Sequence, residues 1–387
     1  MSEWPTVKLG EVAEQTNRRV GELDVPIYSV TKYDGFVPSS EYFKKRVFSM
    51  DIRKYKLCTA GDFAYATIHL DEGSIGISPV KCGISPMYTT FRLNSLNISP
   101  DYLLRYLKSS RALTQYLTLG SGSAERRKSI KFTDLRKMEI PLPPLGEQKR
   151  IAEILGEASK TIKDTEKIIH NVQGLKRSAL RGILDNKSGE YVQLSQISSV
   201  QSGITKGRKV QNKITLMPTP YMAVSNVKAG YLDLSEVKQI DASEAEVNRY
   251  QLQAGDILLT EGGDPDKLGR GTIWRNEIPG AIHQNHIFRV RINPDSGFTS
   301  EALMAILEST ESKGYFLRSA KQTTGISSIN KRQLSATPIP VLGKVQIEEL
   351  TNMWHKIDEV IELYHRKLSL LQELQKSLAT RAFAGLL

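Results

Sequence analysis

Apolar residues recur at alternating steps of four and three along one stretch of the chain: Ile151, Leu155, Ala158, Ile162, Thr165, Ile169 and Val172. That spacing holds them on one stripe of an α-helix and predicts a heptad seam. A second seam runs through Leu350, Trp354, Ile357, Ile361, Tyr364, Leu368 and Leu371 and, beyond an interruption at Gln375, Leu378. The two lie in register, Ile162 matching Ile361 and Ile169 matching Leu368 at a constant offset of 199 positions. A helix over 147–181 would be about 50 Å long at 1.5 Å per residue, and so long a stripe needs a partner along its length. Packing of each helix on its own globular part is the alternative. The matched length and register favour pairing of the two copies as an antiparallel coiled coil, which the globular segment between them allows.

The repeat extends beyond the seams. Residues 130–181 align without a gap on 329–380: Leu135 meets Leu334, Ile140-Pro141 meets Ile339-Pro340, and Leu175 meets Leu374. Earlier landmarks recur at drifting offsets, Val7-Lys8-Leu9 with Val192-Gln193-Leu194, residues 26–30 with 220–224, Ala60-Gly61-Asp62 with Ala254-Gly255-Asp256, and Phe91-Arg92 with Phe288-Arg289. Short β-type runs (63–68, 88–93, 256–260, 286–292) and one helical stretch per half (102–116 and 300–316) read as an α+β domain with many loops. The prolines before each seam, Pro141, Pro143 and Pro144, then Pro338 and Pro340, are expected to stop any strand and fix a rigid start to the helix. The fold expected is therefore α+β with a pseudo-two-fold internal repeat: globular domain 1–146, helix 147–187, globular domain 188–343, helix 344–387.

The 387 residues carry a formal charge of +11, which favours polyanionic partners, nucleic acid first. The basic excess is larger up to Gly146, 21 basic against 15 acidic residues, than from Ser188 to Gly343, 17 against 15, so non-specific grip is expected to favour the first domain. The longest apolar runs, such as 255–260, fall far short of the roughly 20 residues that cross a bilayer. The first residues carry neither the basic start nor the apolar stretch of a secretion signal, so a cytoplasmic protein is expected. Cys58 and Cys82 are the only cysteines and read as packed or surface thiols.

Two motifs sharpen this picture. The segment Ile140-Pro141-Leu142-Pro143-Pro144-Leu145-Gly146-Glu147-Gln148-Lys149-Arg150-Ile151 resembles the "PLPPLxEQxxI" lead-in to the central conserved helix of type I restriction-modification specificity subunits. Ala254-Gly255-Asp256-Ile257-Leu258-Leu259-Thr260 is similar to the "GDILL" strand of that family's recognition domains, with a weaker echo in Ala60-Gly61-Asp62-Phe63. The alternation of two divergent regions with two similar helices extends the resemblance over essentially the whole chain. The second copy departs from the pattern, because Pro340-Val341-Leu342-Gly343-Lys344-Val345-Gln346 lacks the double proline and the Glu-Gln pair. The resemblance implies that each variable region reads one half of a split, asymmetric target in double-stranded DNA. It also implies that the helices set the distance between the halves and dock methyltransferase subunits, two of them, with restriction (nuclease and translocase) subunits a further partner. S-adenosylmethionine would be bound by the methyltransferase partner, and this chain needs no cofactor of its own.

No catalytic residue is assigned. A methyltransferase needs a glycine-rich cofactor strand and an Asn/Asp-Pro-Pro-aromatic loop, but Gly120-Ser121-Gly122 lacks the strand and Pro143-Pro144 follows leucine. Glu147-Gln148-Lys149 imitates part of a nuclease motif, yet it opens a helix, where the amide dipoles favour a carboxylate. Asp264-Pro265-Asp266-Lys267 reads as a glycine-flanked loop, and His283 with His286 offers no metal-ligand set.

Sequence reading needs long polar side chains at base edges and basic or small residues at phosphates. Two loops at equivalent places supply them: Ser121, Ser123, Arg126, Arg127 and Lys128 before Ile130, and Thr323, Thr324, Ser327, Asn330, Lys331 and Arg332 around Ile329. Further candidates are Lys32, Tyr33, Lys44, Lys45 and Arg46 in the first half, and Thr205, Lys206, Arg208, Lys209 and Asn226 in the second. A solvated, non-binding loop is the alternative for each. A scaffold that binds only proteins is the competing function, and salt-sensitive binding to duplex DNA discriminates.

Overall fold

The computed structural model describes residues 4–43, 47–68, 70–119, 129–184, 189–209, 214–264, 267–323 and 326–387. The chain forms two compact units, 1–164 with 368–387, and 165–367. Each unit therefore holds its own stretch of both long helices, Leu145–Leu184 and Lys344–Ala382. The class is α+β, and the order of elements in one unit is repeated in the other.

In the first unit an antiparallel four-stranded sheet runs in the order Ala13–Thr16, Tyr88–Leu93, Phe63–Ala66, Ile75–Ile77. A second sheet is ordered Gly35–Pro38, Ile27–Thr31, Cys82–Ile84, Lys56–Cys58. In the second unit Ser198–Ser202, Ile287–Ile292, Ile257–Thr260 and Gly271–Ile273 repeat the first of these sheets. Lys238–Ala242, Met217–Met222 and Ile282–His283 repeat the second without its last strand. A parallel pairing recurs in both copies, at Tyr28↔Ile84 and at Met222↔His283.

The Gly-Asp landmark is a structural joint in both copies. Gly61 and Gly255 turn the chain with φ of 86° and 91°, which glycine adopts without strain. Buried Asp62 then accepts hydrogen bonds from the Thr59 amide (2.6 Å) and Arg92 Nε (2.7 Å). Asp256 accepts from the Gln253 amide (2.7 Å) and Arg291 Nε (2.6 Å). Arg92 thus corresponds to Arg291, two residues beyond the Phe288-Arg289 match read from the sequence. A two-residue slip keeps every side chain on its own face of a strand, so the hydrophobic pattern alone does not detect it.

Two other expectations are corrected and one is made specific. The helical stretch in each half is two helices, Pro100–Leu107 then Ser110–Thr118, and Ser300–Glu308 then Thr310–Ser319. Ser109 and Ser309 break them by accepting from the amides of Ala112 and Ser312, as N-caps do. The prolines end strands that are present ahead of them: Glu139–Pro141 pairs with Thr6–Lys8, and Pro338–Pro340 with Tyr191–Gln193. These are two-stranded ribbons with proline only at strand ends, where no ladder amide is lost. Around Ile329 the loop expected from sequence is replaced by regular elements: Lys321–Thr323 pairs with Ile326–Ser328, which also pairs with Gly262–Gly263, and the capped helix Lys331–Ser335 follows. Cys58 and Cys82 are free, buried and directly opposite each other across two strands.

Gln148 explains the Glu-Gln motif at the start of the first long helix. Its fully buried amide donates to the carbonyls of Asn97 (2.9 Å) and Pro143 (2.8 Å), and its oxygen accepts from the Ser99 amide (2.7 Å). The helix start is thereby locked to the N-cap of Pro100–Leu107. The second copy has Ile347 at the matching position and makes the link another way, through Thr351 and Thr299, whose hydroxyls lie 2.6 Å apart.

In each unit the two helical stretches run antiparallel. In the first, Ile151 and Leu155 share a core with Ala382 and Phe383, and Gln375 Nε2 donates to Ser159 Oγ at 2.7 Å. Phe383 lies edge-on to Tyr102 and Tyr106, 5.7 and 5.2 Å between ring centres, and its carbonyl accepts from Arg111 (2.8 Å). In the second unit Leu180 and Leu184 share a core with Leu350 and Trp354. Seam residues Ile169 and Ile361 are buried, while Ile162, Val172, Leu368 and Leu371 are half-buried. The seam continues one step past Val172 through a charged residue: Lys176, buried, lies 3.7 Å from each of Glu308 and Asp358 and over the Trp354 ring.

Candidate nucleic-acid interface

One end of each four-stranded sheet is tied to the segments that sequence reading singles out. In the first unit the Ile130 amide donates to the Thr67 carbonyl (2.9 Å), and Thr67 Oγ1 donates to the Met87 carbonyl (2.9 Å). Tyr65, fully buried, donates its hydroxyl to the Ile130 carbonyl at 3.0 Å. In the second unit the Ile329 amide donates to the Glu261 carbonyl, and the Glu261 amide to the His286 carbonyl, both at 3.0 Å. Thr67, Met87 and Ile130 therefore occupy the places of Glu261, His286 and Ile329. One scaffold displays different side chains at this edge in its two copies.

The second unit's edge is described almost completely. The Ile204 amide donates to the His283 carbonyl (2.8 Å) and the Asn285 amide to the Ile204 carbonyl (2.9 Å). This joins the 204–209 loop to the Gln284-Asn285-His286 turn, which Glu261 in turn joins to the strand Ile326–Ser328 through Ile329. The two candidate segments of this half, distant in sequence, thus flank one turn. Gly203 makes the approach possible, because a β-carbon there would overlap the His283 carbonyl. His283 itself is buried, donates from Nδ1 to the Ile287 carbonyl (3.0 Å), and is held by burial down to about 4.

The candidates divide into those free to reach a ligand and those already committed. Thr205, Lys206, Lys209, Lys331 and Arg332 are exposed. Arg208 is instead gripped by Glu246, at 2.5 and 2.7 Å, and by the Asp241 carbonyl at 2.8 Å. That contact, with Ser243, holds the Glu246 carboxyl at about 2. Asn226 is turned inward and buried: it accepts from the Ala223 amide and donates both amide protons, to the carbonyls of Asp233 and Glu236, so neither proton is left for a base. Ser327 is buried, and exposed Asn330 caps the helix Lys331–Ser335 by accepting from the Gln333 amide (2.9 Å). Thr323 lies in the hairpin strand.

In the first unit Lys32 and Tyr33 are exposed on the turn between Ile27–Thr31 and Gly35–Pro38. The neighbouring Asp34 pairs with Lys163 of the long helix at 2.9 Å. Lys44, Lys45, Arg46, Ser121, Ser123, Arg126, Arg127, Lys128 and Thr324 lie outside the described residues. Sequence reading passes over Glu261 and Asn285 and weighs His286 only as a metal ligand. A run of Gln, Asn and His between two apolar strands was the available signal. Among the described residues no three metal-binding side chains cluster, and no helix is long and apolar enough to cross a membrane.

Two copies of one α+β domain, each with a polar edge of its own and each packed on an antiparallel helix pair, define a modular recognition protein. Residues 1–173 match the family described as type I restriction modification DNA specificity domain. The chain is 22% identical to the type I restriction enzyme EcoKI specificity subunit of Escherichia coli over 79% of its length and 69% of the relative's. It is 23% identical to the StySPI specificity subunit of Salmonella potsdam over the same shares. Among solved structures, the S subunit of a type I restriction-modification system from M. genitalium superposes with a TM-score of 0.55 at 13% identity, covering 98% of this chain and 96% of the other. A structure described in terms of complex assembly and conformational transition of a type I system gives 0.56 at 15% identity, covering 100% and 99%. Over residues 1–173 the chain is thus similar to the DNA specificity domain of type I restriction-modification systems, and the relatives it matches over 79% of its length are specificity subunits of such systems.

Proposed function

We propose that the two units read the two halves of one asymmetric, bipartite sequence in duplex DNA, and that the long helices dock the methyltransferase subunits that modify it. The observation that carries this reading is the paired edge: Thr67 and Met87 in one copy stand where Glu261 and His286 stand in the other. Donors and acceptors that differ at matched places suit two different half-sites and disfavour a palindrome. In this reading exposed Lys206 and Lys209 contribute the sequence-independent grip on phosphates, while Asn285 and His286, the latter oriented by Glu261 at 2.5 Å, take the base edges. Docking is supported by apolar side chains left in solvent on the long helices, Ile168 and Leu175 on the first, Leu363, Leu370 and Leu374 on the second. S-adenosylmethionine and the transfer chemistry then belong to the methyltransferase partner, and a restriction subunit joins the same assembly in the cytoplasm. Methylation-sensitive sequencing of a host genome with and without this chain tests the reading. One two-part asymmetric motif should lose its methylation when the chain is removed, and a palindromic motif or no change overturns it.

A further inference from the structure

Beside the helix pair of the second unit lies a cavity of about 620 Å³, within the range of about 300–1,000 Å³ typical of small-molecule sites. Its walls come from the first long helix, the second long helix, the turn at 228–231, the segment 267–270 and the helix Thr310–Ser319. Cations dominate them. Lys176 is occupied by Glu308 and Asp358, Lys228 by Asp233 at 3.6 Å, and Lys267 by Asp264. Arg177, Arg270 and Lys313 come from three different elements and have no carboxylate within 4 Å among the described residues. Lys313 is half-buried and donates to the carbonyls of Leu268 and Gly269 (3.2 and 2.8 Å) rather than to a carboxylate.

Two buried nitrogens at this cavity are also unsatisfied: Arg270 Nε and His365 Nε2 have no hydrogen-bond partner. Unmatched donors and unmatched positive charge in a partly desolvated space cost free energy that an oxyanion recovers. The His365 imidazole lies 4.2 Å from the Tyr231 ring and makes an aromatic wall, a surface on which a nucleobase can stack. We infer that this cavity binds phosphate groups carried on a small ligand of nucleotide size, held by Arg177, Arg270 and Lys313 with Tyr231 and His365 at the base. The inference does not depend on the DNA-reading assignment, because none of these residues belongs to the edge described above.

Pyrophosphate, ATP and adenosine are titrated into the full chain at constant ionic strength, with binding followed by calorimetry and, for the first two, by phosphorus NMR line width. Pyrophosphate and ATP should bind, ATP more tightly, and adenosine should not bind measurably alone. Arg270→Gln and Arg177→Gln should each weaken ATP about tenfold or more, as expected for losing a charge-assisted hydrogen bond. Arg177 is exposed, so its variant keeps the fold, and Lys321→Gln, outside the cavity, should bind as wild type. Absence of binding, or binding as tight as wild type by both arginine variants, overturns the site. Displacement of pyrophosphate by duplex DNA would show the phosphates to be those of the DNA backbone and overturn the small-ligand assignment.

Discussion

Lys176 lies 3.7 Å from the Asp358 carboxylate, and the residues related to this pair by the 199-position repeat, Gln375 and Ser159, are joined by a hydrogen bond of 2.7 Å. The same crossing of two antiparallel helices is therefore ionic in one unit and neutral in the other. The ionic version is buried and engages a second carboxylate, Glu308, and an aromatic face.

This difference gives unequal costs. Lys176→Ala strands Glu308 and leaves Asp358 with Arg275 alone, and breaking such a buried cluster costs about 3–5 kcal/mol. Gln375→Ala removes one partly buried hydrogen bond and should cost about 1 kcal/mol. Urea unfolding of the two variants checks the ratio.

The seam itself can be probed by charge. Ile361 is 3% exposed whereas Ile162 is half-buried. Ile361→Asp is expected to cost several kcal/mol and Ile162→Asp distinctly less, because only the former buries the carboxylate fully. Equal melting of both variants and wild type would show that the seams do not hold the helices together.

Acid should loosen the second unit through His283. Burial lowers its folded-state pKa to about 4 from 6.5, so the unfolded chain binds more protons between those values. Stability is full above 6.5 and is lost as pH falls toward 4, by about 2 kcal/mol between pH 7 and pH 5. A His283→Asn variant, already uncharged, should lack this dependence, as unfolding at the two pH values would reveal.

At the candidate edge the charged residues should separate by role. Lys206→Ala and Lys209→Ala should weaken DNA binding on every sequence and reduce the salt slope by about one each. Asn285→Ala should change the preferred base at one position. Asn226→Ala should do neither, and should instead destabilise the unit by about 1–3 kcal/mol by orphaning the groups it satisfies. Gly203→Ala should release the 204–209 loop and reduce binding without touching a DNA-facing side chain. Binding measured across a salt series on a randomised target library distinguishes these outcomes.

The helix pair, the α+β class and the duplicated plan were legible because heptad spacing and strand alternation report directly on buried faces. Lys176 was not, since a lysine ends a hydrophobic pattern even where its ammonium is matched by acids from elsewhere in the fold. The breaks at Ser109 and Ser309 were hidden for a related reason: apolar spacing runs on across a serine whose side chain caps the next helix. The candidate edge was legible only as separate loops. What joins Ile204 to Asn285, and Ile329 to Glu261, is a set of backbone hydrogen bonds, which no side-chain identity announces. Asn226 was misread because a polar side chain in a loop looks alike whether it faces solvent or staples the loop from within.

Phe383 also bears on the order in which the protein can be made. The second unit is one unbroken stretch, 165–367, but the core of the first needs Ala382 and Phe383 beside Tyr102 and Tyr106. A ribosome that has translated the first 164 residues has released a domain whose last structural piece lies more than two hundred codons downstream. The part synthesised first is therefore completed last, and until then its aromatic residues stay open to chaperones and proteases. A nonsense mutation just before Phe383 would accordingly damage the amino-terminal unit while sparing the one between.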